Sequence, residues 1–103
     1  MRGEPVRMLE LEAQAEVDKF VLARLCHPDR GGEWMRRLFT QATLHEGMAP
    51  AEEDRYREAG RLASAFCAHL EGLPHDQARL TLLRSFWRDC GHRRMDRMRR
   101  LAA

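Results

Sequence analysis

The chain has 103 residues, 44% hydrophobic and 33% charged, which suits one small folded domain and excludes a disordered segment. A net charge of +2 is too small to name a partner. Three cysteines with no CxxC pair exclude a disulfide framework.

Ala, Leu, Arg and Glu dominate and Ile is absent, so helix propensity predicts an all-α fold. No apolar run approaches the ~20 residues of a membrane span. The charged opening, Met1-Arg2-Gly3-Glu4, lacks the apolar core of a secretory signal, and a cytoplasmic protein is expected.

In chain order, Pro5 suits the first turn of a helix, and no Gly or Pro interrupts from there to Cys26. Leu9, Ala13, Val17, Phe20, Val21 and Leu25 recur at three- and four-residue steps, which predicts an amphipathic helix over 5–26 with that face buried. His27-Pro28 stops it, because proline disfavours helical geometry in the residue before it. Asp29 to Gly32 is turn chemistry, Asp for local backbone bonds and Gly for positive φ.

A second helix is predicted over 33–46, with Trp34, Met35, Leu38, Phe39 and Ala42 as its apolar stripe and Gly47 at its end. Pro50 and the Glu52-Glu53-Asp54 cluster open a third. Tyr56, Ala59, Leu62, Ala63, Phe66, Cys67 and Leu70 run down one of its faces. Ala59, Gly60, Ala63, Ser64 and Ala65 are small enough to admit a close neighbour. Gly72 and Pro74 close this element.

A fourth helix is expected from Asp76 to Cys90, with Leu80, Leu83, Phe86 and Trp87 buried. Gly91 breaks it. His92 to Ala103 then places Arg93, Arg94, Arg97, Arg99 and Arg100 around Met95, Met98 and Leu101, a short basic amphipathic helix. Short connections favour antiparallel neighbours. The expected architecture is a single domain, 1–103, built as a compact bundle of about four helices. It comprises a helical hairpin over 5–46, a second over 50–90 and a basic C-terminal helix over 91–103.

One run carries a signature. His27-Pro28-Asp29-Arg30-Gly31-Gly32, preceded by Leu22-Ala23, resembles the loop of J-domains, the DnaJ co-chaperone family. Met35 and Leu38 fall where the next J helix places its first core residues. The resemblance implies contact with a DnaK-type chaperone and stimulation of its ATPase. His27, Pro28 and Asp29 would form the stimulating loop, and Lys19 and Arg24 would be docking charges. Independently of that likeness, a proline corner at a helix end would project a His and an Asp, beside a charged helix able to steer a partner. The same three residues also read as a plain helix stop. Tyr56-Arg57-Glu58-Ala59-Gly60-Arg61 is similar to a helix start in small phage proteins encoded among head genes.

The Arg-rich C-terminal helix supports a second class of function. Arg93, Arg94, Arg97, Arg99 and Arg100 would neutralise phosphates of a nucleic acid or meet an acidic partner. The competing reading docks Met95, Met98 and Leu101 on the bundle and leaves the arginines in solvent. Cys67-x-His69 is a poor metal pair, since residues two apart on a helix diverge by about 200°. No metal or cofactor is expected, and Cys26 and Cys67 read as buried apolar groups. No strained elbow, phosphate loop or paired carboxylates appear, so no enzyme is expected. The sequence thus predicts a small protein-interaction module, a monomer or homodimer. Its partner would be a DnaK-type chaperone or a subunit of an assembly, and the alternative is a phage-type accessory protein that binds nucleic acid.

Overall fold

The structure, a computed structural model, describes residues 4–40, 47–89 and 91–103, and the side chains of all of these but 4–6 and 40. Among the described residues the fold is all-α: α1 (Glu4–Cys26), a 3-10 turn (Pro28–Arg30), α2 (Gly31–Met35) continued by a π-helical segment (Arg36–Thr40), α3 (Pro50–Glu71), α4 (Asp76–Arg88) and α5 (His92–Ala102). The expected run of the second helix to residue 46, with Ala42, lies outside the described residues, as does Cys90. No described helix is long and apolar enough to cross a membrane.

The breaks fall where the sequence loses helical backbone options. His27 leaves helical geometry at φ −136°, ψ 72° ahead of Pro28, because the proline ring disfavours the helical region in the residue before it. Pro50 occupies the first turn of α3 after an extended Ala49. The His75 side chain caps α4, its Nδ1 accepting from the Ala78 N–H at 3.1 Å. Gly91 turns the chain into α5 at φ 55°, a left-handed conformation that glycine adopts without a Cβ penalty.

Cross-links fix the directions of the helices. Glu12 accepts from Arg55 at 2.8 Å and Glu71 accepts from Arg24 at 2.5 Å, so α1 and α3 run parallel along their length. Residues 31–40 fold back on α1, with His27 stacked on Trp34 and Phe20 facing Phe39 at 6.3 Å. Trp87 Nε1 donates to Asp18 at 3.2 Å, while Leu80 lines the same cleft as Leu25, so α4 runs antiparallel to α1.

The core lies where α1, α3 and α5 meet. Ala13, Val17 and Phe20 from α1, Leu62, Ala63, Phe66, Cys67 and Leu70 from α3, and Met95 and Met98 from α5 are buried together. Phe86 reaches in from α4, 4.4 Å from Phe66 between ring centroids. A fully buried Met, like a buried Leu or Phe, contributes about 1.5–3 kcal/mol, and α5 supplies two, Met95 and Met98. α5 is therefore a working part of the core.

Four expectations of burial fail. Leu25 is 74% exposed, and Leu80 and Trp87 are 39% and 43% exposed. α4 meets the bundle through Leu83 and Phe86 and leaves its flank toward α1 open. Cys26, expected inside, is also exposed.

Candidate interaction site at the His27–Asp29 corner

The corner begins where α1 runs out of helix. The His27 N–H still bonds the Ala23 carbonyl at 2.9 Å, and the Arg30 N–H closes the following turn on the His27 carbonyl at 3.1 Å. His27, Pro28 and Asp29 are all exposed. The imidazole lies on the Trp34 ring, 5.5 Å between centroids and 25° from parallel, so its face is held and its edge meets solvent. Offset aromatic stacking of this kind is worth about 0.5–1.5 kcal/mol. The Asp29 carboxylate has no hydrogen-bond or ion-pair partner among the described residues.

Behind the corner stands a polar strut. Arg24, read from the sequence as a docking charge, points inward. Its Nε donates to Glu71 at 2.5 Å and its guanidinium also donates to the Pro28 carbonyl. It therefore fixes the corner to the end of α3 and offers little charge to a partner. Lys19 remains exposed, although it donates to Glu16 at 2.8 Å. That bond raises its pKa above the ordinary lysine value.

Gly31 explains the glycine in this turn, and not by the expected route. Its φ is −56°, open to any residue, and neither Gly31 nor Gly32 has positive φ. The constraint is space: a Cβ at Gly31 would lie 2.7 Å from Glu71 Oε2 and 2.8 Å from Arg24 Nε. Past it, Arg30 grips Glu33 through two nitrogens at 2.6 and 2.5 Å. That hydrogen bond, followed by the nearby charge, holds the Glu33 carboxyl below the usual carboxylate range. Arg37 lies over the Trp34 ring at 5.4 Å. The Trp34 Nε1 is buried with no partner among the described residues.

Of the five arginines assigned to a basic contact surface, the structure removes two. Arg94 is buried. It donates to Glu10 at 3.3 Å, to Gln14 at 2.5 Å and to the carbonyls of Phe86, Trp87 and Asp89. The last carbonyls of a helix lack intrahelical partners and carry partial negative charge, and Arg94 answers that need for α4. Arg97 is half-buried and pairs with Asp89 at 2.9 Å. Arg93, Arg99 and Arg100 stay exposed on α5.

The sequence reading missed Arg79, which does for α3 what Arg94 does for α4. It donates to the carbonyls of Leu70, Glu71 and Leu73 at 3.3, 3.3 and 2.9 Å. The signal for both was present in their position, each within nine residues after the helix end whose carbonyls it meets. Cys67 is buried, and burial first, then the nearby Glu71 and Glu16 charges, push its thiol well up. A thiol held in that form is a poor nucleophile. Among the described residues no cluster of His, Cys, Asp and Glu is placed to hold a metal ion.

No protein-family model matches this chain, and neither a curated protein nor a solved structure matches it.

Proposed function

We propose that this protein is a non-enzymatic, cytoplasmic interaction module that contacts a partner through the His27-Pro28-Asp29 corner, in the manner of a degenerate J-domain acting on a DnaK-type chaperone. The supporting observation is the state of the corner: an exposed imidazole and an exposed carboxylate, two residues apart in the chain, on a backbone that is tied down from behind. Stacking on Trp34 and the Arg24 link to Glu71 and the Pro28 carbonyl reduce the ordering that binding would demand, and pre-organisation of this kind favours affinity. The docking charge on α1 is Lys19, and Arg24 braces the corner through Glu71 and the Pro28 carbonyl.

The test is ATP hydrolysis by a DnaK-type chaperone with and without this protein. Stimulation by the native chain and its loss in His27→Gln is the expected result. No stimulation, or equal stimulation by both forms, overturns the reading.

The second reading, nucleic-acid contact through α5, rests on the exposure of Arg93, Arg99 and Arg100. Three cations of this kind would give a log–log salt slope near −3, at about −0.9 per phosphate neutralised. A gel shift at two salt concentrations measures it, and no binding at low salt dismisses it.

A further inference from the structure

Next to the corner, α1 and α4 leave a cleft of about 360 Å³, at the lower end of the range for binding pockets. Leu70 and Leu83 form its floor. Val21 and Leu25 form one wall and Leu80 the other, with Pro28 at the corner end. Seven residues separate Asp18 from Leu25, and seven separate Leu80 from Trp87, so the seam runs about 10 Å before the Trp87–Asp18 hydrogen bond shuts it. Leu22, 64% exposed, extends the apolar wall on α1. Leu22, Leu25 and Leu80 are exposed together beside one cleft rather than singly, and contiguous apolar surface rimmed by polar residues is characteristic of interaction sites.

The polar rim says what would cover this face. The charges inside the cleft cancel one another, Arg24 with Glu71 and Arg79 with Asp76. The α4 rim is different. Arg84 and Arg88 are exposed, and neither has an ion-pair partner among the described residues. Arg84 stands one turn from both Leu80 and Trp87, and Arg88 one turn beyond Arg84, so both border the apolar strip. On the opposite rim Asp18 is engaged with Trp87.

We infer that the α1–α4 cleft is a docking groove for a short amphipathic helix of another protein, one that presents leucine-type side chains at i, i+3/i+4 spacing and carries Asp or Glu on the edge that meets Arg84 and Arg88. Apolar anchors seat in the groove and the acidic edge sets orientation, the division of labour found in helix-in-groove recognition. The groove and the corner are adjacent but separable. Leu25 and Leu80 can be changed with His27 and Asp29 in place, so peptide binding and ATPase stimulation report different surfaces.

The probes are two fluorescein-labelled helical peptides of about four turns, identical in their leucine stripe. One is flanked by Glu and the other by Lys. Anisotropy with the full chain at low and moderate salt is expected to show the Glu peptide binding at least about ten-fold tighter, a difference of about 1.4 kcal/mol, and the preference shrinking with salt. Arg84→Glu with Arg88→Glu should reverse it. Leu25→Ser with Leu80→Ser should weaken binding about ten-fold or more, while circular dichroism and the denaturation midpoint confirm that the chain still folds. No binding of either peptide, equal binding of both, or binding indifferent to the leucine changes overturns the assignment. A concentration-dependent dimer that the leucine changes dissolve also overturns it, and gives the face to a second copy of this chain.

Discussion

The two ends of the α1–α4 seam are built in opposite ways. Near the start of α1, Arg94 of α5 fills the seam, satisfying Glu10, Gln14 and three carbonyls at the end of α4. Near the end of α1, arginines of the same type sit at the edge of an open cleft. Arg24 and Arg79 spend their donors on Glu71, Pro28 and the α3 carbonyls, and among the described residues no side chain bridges Leu25 and Leu80. A guanidinium with five donors can close a helix junction from within or brace it from the side. The second arrangement leaves Leu25 and Leu80 in reach of a partner.

Removing Arg94 should break the closed end and have the largest effect. Arg94→Ala leaves Glu10 buried without its cation and the α4 carbonyls uncapped, a loss of about 3–5 kcal/mol, read as a drop in the urea midpoint. Arg94→Met keeps part of the packing against the Phe86 ring, 5.1 Å away, and should lose less. Equal midpoints for wild type and Arg94→Ala would show the hub to be idle.

The braced end should give way more gently. Glu71→Gln weakens the pair with Arg24, both side chains about a quarter exposed, and should cost about 1 kcal/mol. It should also loosen the corner, visible as faster amide exchange at His27 and Arg30. Gly31→Ala should do the same, because the added carbon must push Glu71 and Arg24 aside. Leu25→Ser should change stability by no more than about 0.5 kcal/mol, since the side chain is already in water.

The smallest effect is a titration. The hydrogen bond from Arg61 is the main cause that lowers the Glu58 pKa, and it outweighs desolvation and is joined by the Arg61 and Arg99 charges. A carboxylate lowered on folding adds stability that is fully present above its unfolded pKa and fades as pH falls through the folded value. For this exposed pair the gain is slight. An NMR titration should show Glu58 protonating below the ordinary glutamate range, and Arg61→Ala should raise it by removing the largest of the lowering causes.

Much of the fold was legible because proline and glycine set the helix ends and spacing set the α3 core. The stripe through Ala59, Leu62, Ala63, Phe66, Cys67 and Leu70 is buried throughout. Spacing did not decide the flanks. Leu25 and Leu80 sit at the margins of their stripes, and whether a margin is covered depends on where α4 comes to rest, which no local pattern states. Arg94 was different, because its position carried a signal. Arg94, Met98 and Leu101 stand at i, i+4 and i+7, as do Glu10, Ala13 and Val17 at i, i+3 and i+7. A charge in register with an apolar stripe shares its buried face, and the opposite signs of Arg94 and Glu10 let the two pair there. At the corner, exposure of His27, Pro28 and Asp29 followed from the turn chemistry. The inward aim of Arg24 depended on Glu71, 47 residues away, and could not be read locally.

Arg94 also bears on how the molecule assembles in time. Its bond to Glu10 joins positions 84 apart, and such a contact repays the closure of a long loop only after the intervening helices are in place. Its formation therefore belongs late on the folding route, and its loss should show chiefly as faster unfolding. The arginine should then behave as a latch on the finished bundle, slowing its opening more than it speeds its making.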